Sequence, residues 1–210
     1  MTEQEIRESI CAVGKRMYQN KMILSTNGNM SVRHEKILFF TPSGVNKGEL
    51  IPEKIIQTDM KGNVICGNGK PSSEIAMHLE IYNQRPDVEA VIHAHPLYCT
   101  TLTIAKVSLE EVWFPEIFLQ VGRIPTAPYA IPGTQELAKV VGQYVSKANA
   151  VAMERHGIVT YAKDIWEAYY NLETIEHAAN ILWHIRIFDA TSPMTPEQVK
   201  ELEKIKKQKK

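Results

Sequence analysis

Val88-Glu89-Ala90-Val91-Ile92-His93-Ala94-His95 is an apolar run that closes on two imidazoles one residue apart. The run predicts a strand over Val88–Ala94, and in an extended chain residues i and i+2 share a face, so both rings can converge on one point. A third imidazole, His156, stands in Glu154-Arg155-His156-Gly157, again where an apolar run ends. The glycine that follows it permits close approach of another backbone. Three neutral imidazoles with a fourth position open are the donor set of a catalytic divalent metal, zinc above all. A His-x-His pair alone is usually incidental; the shared setting at the ends of strand-like runs is what groups these three. His34, His78, His177 and His184 lack that setting and read as surface or packing residues.

Upstream, Pro71-Ser72-Ser73-Glu74 opens a stretch that reads as helical from Pro71 to about Gln84, with Ile75, Leu79 and Tyr82 on one face. A glutamate in a first helical turn is favoured by the helix dipole and needs no further reason to be there. Beside a Lewis acid it has another use, as the carboxylate that shuttles a proton while the metal holds substrate oxygens. Ser72-Ser73 would fall where unpaired helix N–H groups attract anions. Thr26-Asn27-Gly28-Asn29 and Thr41-Pro42-Ser43-Gly44 offer similar small residues, either as plain turns or as anion cradles. Neither a Walker-type loop nor a dinucleotide-binding glycine fingerprint occurs, so a phosphate held here would belong to the substrate.

Around this centre the pattern alternates. Residues 2–20 read as a helix with capping-box spacing at Thr2 and Glu5. Strands are expected at Met30–Arg33, Ile37–Phe40 and Ile55–Thr58, and a short helix from Pro96 to about Ala105. Val112–Val121 and Ile124–Tyr129 read as extended, Thr134–Lys147 as helical, and Ala150–Met153 and Ile158–Ala162 as strands flanking His156. A long helix opens at Asp164 and is expected to reach about Asp189. Helices interleaved with short strands predict a single α/β domain.

Composition narrows the classes. The 210 residues are 44% hydrophobic and 23% charged, and 24 Lys+Arg balance 24 Asp+Glu. That balance argues against nucleic acid or a membrane surface as a partner. Cys11, Cys66 and Cys99 have no framework spacing and read as reduced thiols of a cytoplasmic protein. No apolar run is long enough to span a membrane.

Five motifs carry a resemblance to a known family. Gly28-Asn29-Met30-Ser31-Val32-Arg33, Thr41-Pro42-Ser43-Gly44, Pro71-Ser72-Ser73-Glu74, Val91-Ile92-His93-Ala94-His95-Pro96 and Arg155-His156-Gly157 resemble, in order and separation, the class II aldolase/adducin family. The resemblance covers residues 1–190 and leaves 191–210 as a polar, lysine-rich tail. It implies a three-layer α/β/α fold with a mostly antiparallel central sheet. It implies one zinc per subunit, or another divalent transition metal, on His93, His95 and His156, with Glu74 as a fourth ligand until substrate displaces it to act as acid/base. Gly28, Asn29, Ser43, Gly44, Ser72 and Ser73 would hold the substrate phosphate. Family members are typically cyclic homotetramers with active sites at subunit interfaces.

Within the family the chain is most similar to the fuculose-phosphate aldolases. This implies metal-dependent cleavage of a ketose 1-phosphate, such as L-fuculose 1-phosphate, to dihydroxyacetone phosphate and a short aldehyde such as lactaldehyde, without a lysine Schiff base. The pentulose-5-phosphate 4-epimerases tend to carry Ser-Ser-Asp where this chain has Ser72-Ser73-Glu74. Sugar-phosphate dehydratases and decarboxylases of the same fold stay open as alternatives, as does a non-enzymatic adducin-like module with the tail as its contact segment. Two departures concern the aldehyde. Val112-Trp113-Phe114-Pro115-Glu116 lacks the tyrosine expected there, and residues 191–210 contain no aromatic residue. Glu116 and Tyr129 are the candidates to replace part of that function, with packing or surface roles as the alternative.

Overall fold

The computed structural model describes residues 1–188 and 192–208, and it places Ala90–Ala94 as a fully buried strand near the middle of a sheet. The strands are β1 (Asn29–His34), β2 (Ile37–Phe40), β3 (Ile56–Asp59), β4 (Val64–Cys66), β5 (Ala90–Ala94), β6 (Thr126–Ala127), β7 (Ala150–Met153) and β8 (Gly157–Ala162). They lie in the order β4-β3-β2-β1-β5-β8-β7-β6. Every neighbouring pair is antiparallel except β6 with β7. The short β4, bounded by Gly62 and Gly67, has no expected counterpart, because its exposed residues carry no alternating pattern.

Both faces of the sheet are covered. Ile92 and Ala94 of β5 and Ile158 of β8 join a cluster with Ile6, Ile10 and Val13 of α1 (Glu3–Gln19), Leu102 of α3 (Leu97–Ile104) and Leu172 and Ile175 of α6 (Ile165–Ile185). Val91, Val159 and Tyr161 point the other way, onto Met77 and Ile81 of α2 (Ile75–Gln84) and Leu137 and Val141 of α5 (Gln135–Val145). Strand alternation thus divides one apolar run between two cores. Each fully buried aliphatic side chain contributes roughly 1.5–3 kcal/mol relative to exposure. The expected three-layer α/β/α fold with a mostly antiparallel sheet is the fold observed.

The helix boundaries follow their caps. Thr2 and Glu5 form the full reciprocal capping box at the start of α1. Asp164 accepts the Glu167 N–H at the start of α6, which ends at Ile185. The expected extension to about Asp189 is not made over residues 186–188, which leave the helix as a turn, and Asp189 lies outside the described residues.

Two expectations are corrected. Val112–Val121 is not an extended segment: Pro115–Gln120 forms α4, with Pro115 at the first helical position and extended Phe114 as its cap. A short apolar and aromatic run cannot be assigned by periodicity alone, and here the proline decides. The second correction concerns the helix expected from Pro71. It begins at Ile75, because Pro42 and Pro71 form a β-bridge and Ser43 N–H donates to Lys70 C=O, holding the preceding loop extended. Within the polar tail, Pro196–Gln208 forms α7. Its Val199 and Leu202 are buried against Val112 and Phe118, and Lys206 Nζ donates to the Phe118 carbonyl at 2.8 Å. Residues 191, 209 and 210 of that tail lie outside the described residues.

Candidate metal centre and substrate cavity

His93 and His95 leave the C-terminal end of β5, and His156 sits in the β7–β8 turn directly beside them. One ligand nitrogen from each ring falls within 4.8 Å of the others. His93 Nε2 and His95 Nε2 are 2.9 Å apart. Gly157 makes this convergence sterically feasible: a Cβ there would overlap the Ala94 carbonyl and come within 2.6 Å of His95 Cδ2. Gly28 serves the same end from the position just ahead of β1. It has φ +71°, and a Cβ on it would lie 2.6 Å from Ile23 and 3.0 Å from the His93 carbonyl.

Glu74 completes the cluster. It is the residue that caps α2, one position ahead of the first turn in which the dipole argument placed it, and its carboxylate makes no capping bond to the helix. The carboxylate turns instead to the imidazoles, with Oε2 at 3.0 Å from His93 Nε2 and Oε1 at 3.3 Å from His156 Nε2. Asn29 Nδ2 donates to Oε2 at 2.9 Å. Glu74 Oε1 is buried and makes no hydrogen bond.

These contacts gather lone pairs. His93 Nδ1 sits 2.9 Å from the Ile158 carbonyl, which can only accept, so Nδ1 carries the proton and Nε2 is turned into the cluster. Burial, reinforced by the neighbouring His93, pushes the His95 and His156 rings down to about 3 and about 4, so both are neutral imidazoles at ordinary pH. Burial alone would push the Glu74 carboxyl up. The neighbouring His93, then His156 and the Asn29 amide, outweigh it and hold Glu74 well below the usual carboxylate range. Imidazole nitrogens and an ionised carboxylate facing one point call for a shared positive charge among them, which a proton or a metal cation supplies. The donor set and the unbonded Oε1 therefore fit a divalent metal. The outer bond from His93 Nδ1 to a main-chain carbonyl is the kind that orients a ligating imidazole.

The cluster opens on a cavity of roughly 460 Å³. Gly28, Asn29, Ser43, Gly44, Ser72 and Ser73 all line it, together with Glu74, His95 and His156. All six residues expected to hold an anion are thus brought together beside the imidazoles. Glu116 and Tyr129, the candidates for handling the aldehyde, do not line it; both are exposed, Tyr129 by 57%.

Two residues of this region escaped the sequence. Lys47 lines the cavity, is buried, and donates from Nζ to the Thr26 carbonyl at 2.6 Å. It makes no ion pair among the described residues, and burial pushes its ammonium down to about 8. Nothing in Asn46-Lys47-Gly48 separates it from a surface lysine. His78 is fully buried, as a packing residue would be, but both ring nitrogens are hydrogen-bonded, to Asn29 and Ser31. Its signal was available: it lies four residues after Glu74, on the helix face that meets β1.

The fold and the motif order are those of one family, and direct comparison agrees. Residues 8–183 match the Class II Aldolase and Adducin N-terminal domain, and the chain belongs to that family. It is 36% identical to the L-fuculose phosphate aldolase of Methanococcus maripaludis over 165 residues, 79% of this chain and 89% of the relative. It is 28% identical to the 3-oxo-tetronate 4-phosphate decarboxylase of Haemophilus influenzae over 208 residues, 97% of this chain and 98% of the relative. A solved L-fuculose 1-phosphate aldolase superposes with a TM-score of 0.87 at 30% identity, over 98% of both chains. The chain is therefore an enzyme of the class II aldolase superfamily. No helix among the described residues is long and apolar enough to cross a membrane.

Proposed function

We propose that this protein cleaves a ketose 1-phosphate by a metal-dependent retro-aldol reaction, with His93, His95 and His156 as metal ligands and Glu74 as both fourth ligand and acid/base. The observation that carries the reading is the meeting of Glu74 and the imidazoles at a cavity lined by Ser43, Gly44, Ser72, Ser73 and a buried lysine. Zinc, L-fuculose 1-phosphate as the type substrate, a homotetramer with sites at its interfaces, and a cytoplasmic setting complete the proposal.

The metal supplies electrophilic stabilisation for the negative charge that develops on the ketose oxygens. The chain does the rest. The loops at Gly28-Asn29, Ser43-Gly44 and Ser72-Ser73 hold the phosphate by N–H and hydroxyl donors, and Lys47 supplies the opposing charge. The C4 hydroxyl passes its proton to the Glu74 carboxylate, the C3–C4 bond breaks and C4 becomes the aldehyde carbonyl. The electron pair of the broken bond passes to C3. Glu74 returns a proton to C3, giving dihydroxyacetone phosphate.

A second reading is favoured by the near-full-length similarity to a 3-oxo acid phosphate decarboxylase. Loss of CO2 beside a carbonyl leaves the same electron-rich carbon, so one site could serve either leaving group. A panel assay separates them. Purified protein is given ketose 1-phosphates, pentulose 5-phosphates and a 3-oxo-tetronate 4-phosphate, with detection of dihydroxyacetone phosphate, isomer and CO2. The proposal expects dihydroxyacetone phosphate from at least one ketose 1-phosphate, abolished in Glu74→Gln. Turnover confined to CO2 release or to isomerisation contradicts it.

A further inference from the structure

Behind Glu74 a row of buried polar groups runs from the cavity into the α2 side of the sheet. Asn29 Nδ2 donates to Glu74 Oε2 at 2.9 Å and to Ser72 Oγ at 3.1 Å. Asn29 Oδ1 is 2.6 Å from His78 Nε2, and His78 Nδ1 is 2.7 Å from Ser31 Oγ. Ser31 Oγ lies 2.8 Å from the Tyr82 hydroxyl, which is also 3.0 Å from the Ser31 carbonyl. Asn29, Ser31, His78 and Tyr82 are all buried.

For a neutral His78 ring the direction of every bond up to the serine is forced. An ionised carboxylate accepts only, so the Asn29 amide must turn its NH2 toward Glu74 and its oxygen toward His78. That oxygen requires a donor, so His78 carries its proton on Nε2. Nδ1 is then a bare acceptor, which Ser31 fills by donating its hydroxyl. A buried network with every member satisfied specifies one arrangement, whereas a flipped amide here would set its oxygen against the carboxylate and its NH2 against the His78 Nε2–H.

We propose that His78 is a positioning residue, a neutral imidazole locked as the Nε2–H tautomer, which fixes the Asn29 amide so that its nitrogen holds Glu74 and Ser72 at once. One amide thereby ties the carboxylate of the metal cluster to the loop that lines the anion cavity. Burial pushes the His78 ring down to about 3, in keeping with a ring that stays neutral. The acid/base role of Glu74 rests on the proposed function; the tautomer of His78 does not.

Two measurements test this. Long-range 1H–15N correlation spectra of the wild-type protein should show the His78 ring as the Nε2–H tautomer, unchanged from pH 8 to pH 5.5. A Nδ1–H tautomer, or a doubly protonated ring at pH 7, overturns the proposal whatever the enzyme turns over. His78→Phe removes donor and acceptor together and should lower kcat about 10–100-fold, the range for partners that orient a metal site, with metal content unchanged. His78→Gln offers an amide N–H to Asn29 and an oxygen to Ser31 and should recover most of that loss. Equal impairment of His78→Phe and His78→Gln, or wild-type kcat in His78→Phe, overturns it. If His78→Phe does not fold, the wild-type spectrum and the kcat of His78→Gln, expected near that of the wild type, remain decisive.

Discussion

The imidazole cluster and the α4/α7 flank belong to one fold but are held by different kinds of contact. At the cluster, side chains from β1, β5, the β7–β8 turn and the residue ahead of α2 meet within hydrogen-bonding distance, and glycines clear the space between them. At the flank, Val112, Phe118, Val199 and Leu202 meet chiefly by burial, with Met194 N–H donating to the Val112 carbonyl and Lys206 to that of Phe118. The difference teaches where chemistry is set by polar geometry and where only shape is at stake. Substitutions at the cluster should alter catalysis with modest effects on folding, and those at the flank should do the reverse.

The sharpest way to break that contrast is His93→Ala. It should abolish metal binding and lower kcat/KM by on the order of 10³–10⁵, the equivalent of several kcal/mol of lost Lewis-acid stabilisation, measured by metal analysis alongside steady-state kinetics. Next comes Glu74→Gln, which keeps shape but removes the proton carrier; kcat should fall about 10²–10⁴-fold while the circular dichroism spectrum stays that of the wild type.

Lys47→Met should act on binding more than on chemistry. Losing a charged donor to a bound dianion raises KM about 10–100-fold, with inorganic phosphate weakened as a competitor to match. The sign of the pH effect follows from burial. The Lys47 ammonium is pushed down from an ordinary 10.5 to about 8. Phosphate inhibition of the wild type should therefore weaken as pH rises through about 8, while Lys47→Met is flat across that window. The smallest effect on catalysis is expected at the flank. Leu202→Ala should lower stability by about 2 kcal/mol, read as a drop in Tm of a few degrees, with one metal retained per chain. Loss of metal in Leu202→Ala would erase the contrast.

The same contrast governs what could be read from the sequence. The histidine triad was legible because His93 and His95 end an apolar run and Gly157 follows His156, so local pattern and chemistry coincided. The strand itself was legible too, as the apolar run Val88–Ala94, whereas the assignment of Val91 and Ile92 to opposite cores came only with the structure. The helix in Val112–Val121 was not, because a six-residue helix shows barely two turns and its aromatic residues suit a strand equally well. Lys47 and the polar partners of His78 were invisible for a different reason. Their significance lies in burial and in partners distant in the chain, such as Thr26 for Lys47 and Asn29 for His78. The replacement for the family tyrosines has the same character: neither Glu116 nor Tyr129 reaches the cavity within one chain.

The central claim is that three imidazoles and one carboxylate hold a catalytic divalent metal. Its most direct test is native mass spectrometry with elemental analysis of protein purified without chelator, for the wild type and for His93→Ala, His95→Ala and His156→Ala. One divalent ion per wild-type chain, absent from each variant and lost together with activity on chelation, is the predicted result. A folded, active wild type without stoichiometric metal, or full metal retention in all three variants, would contradict the account.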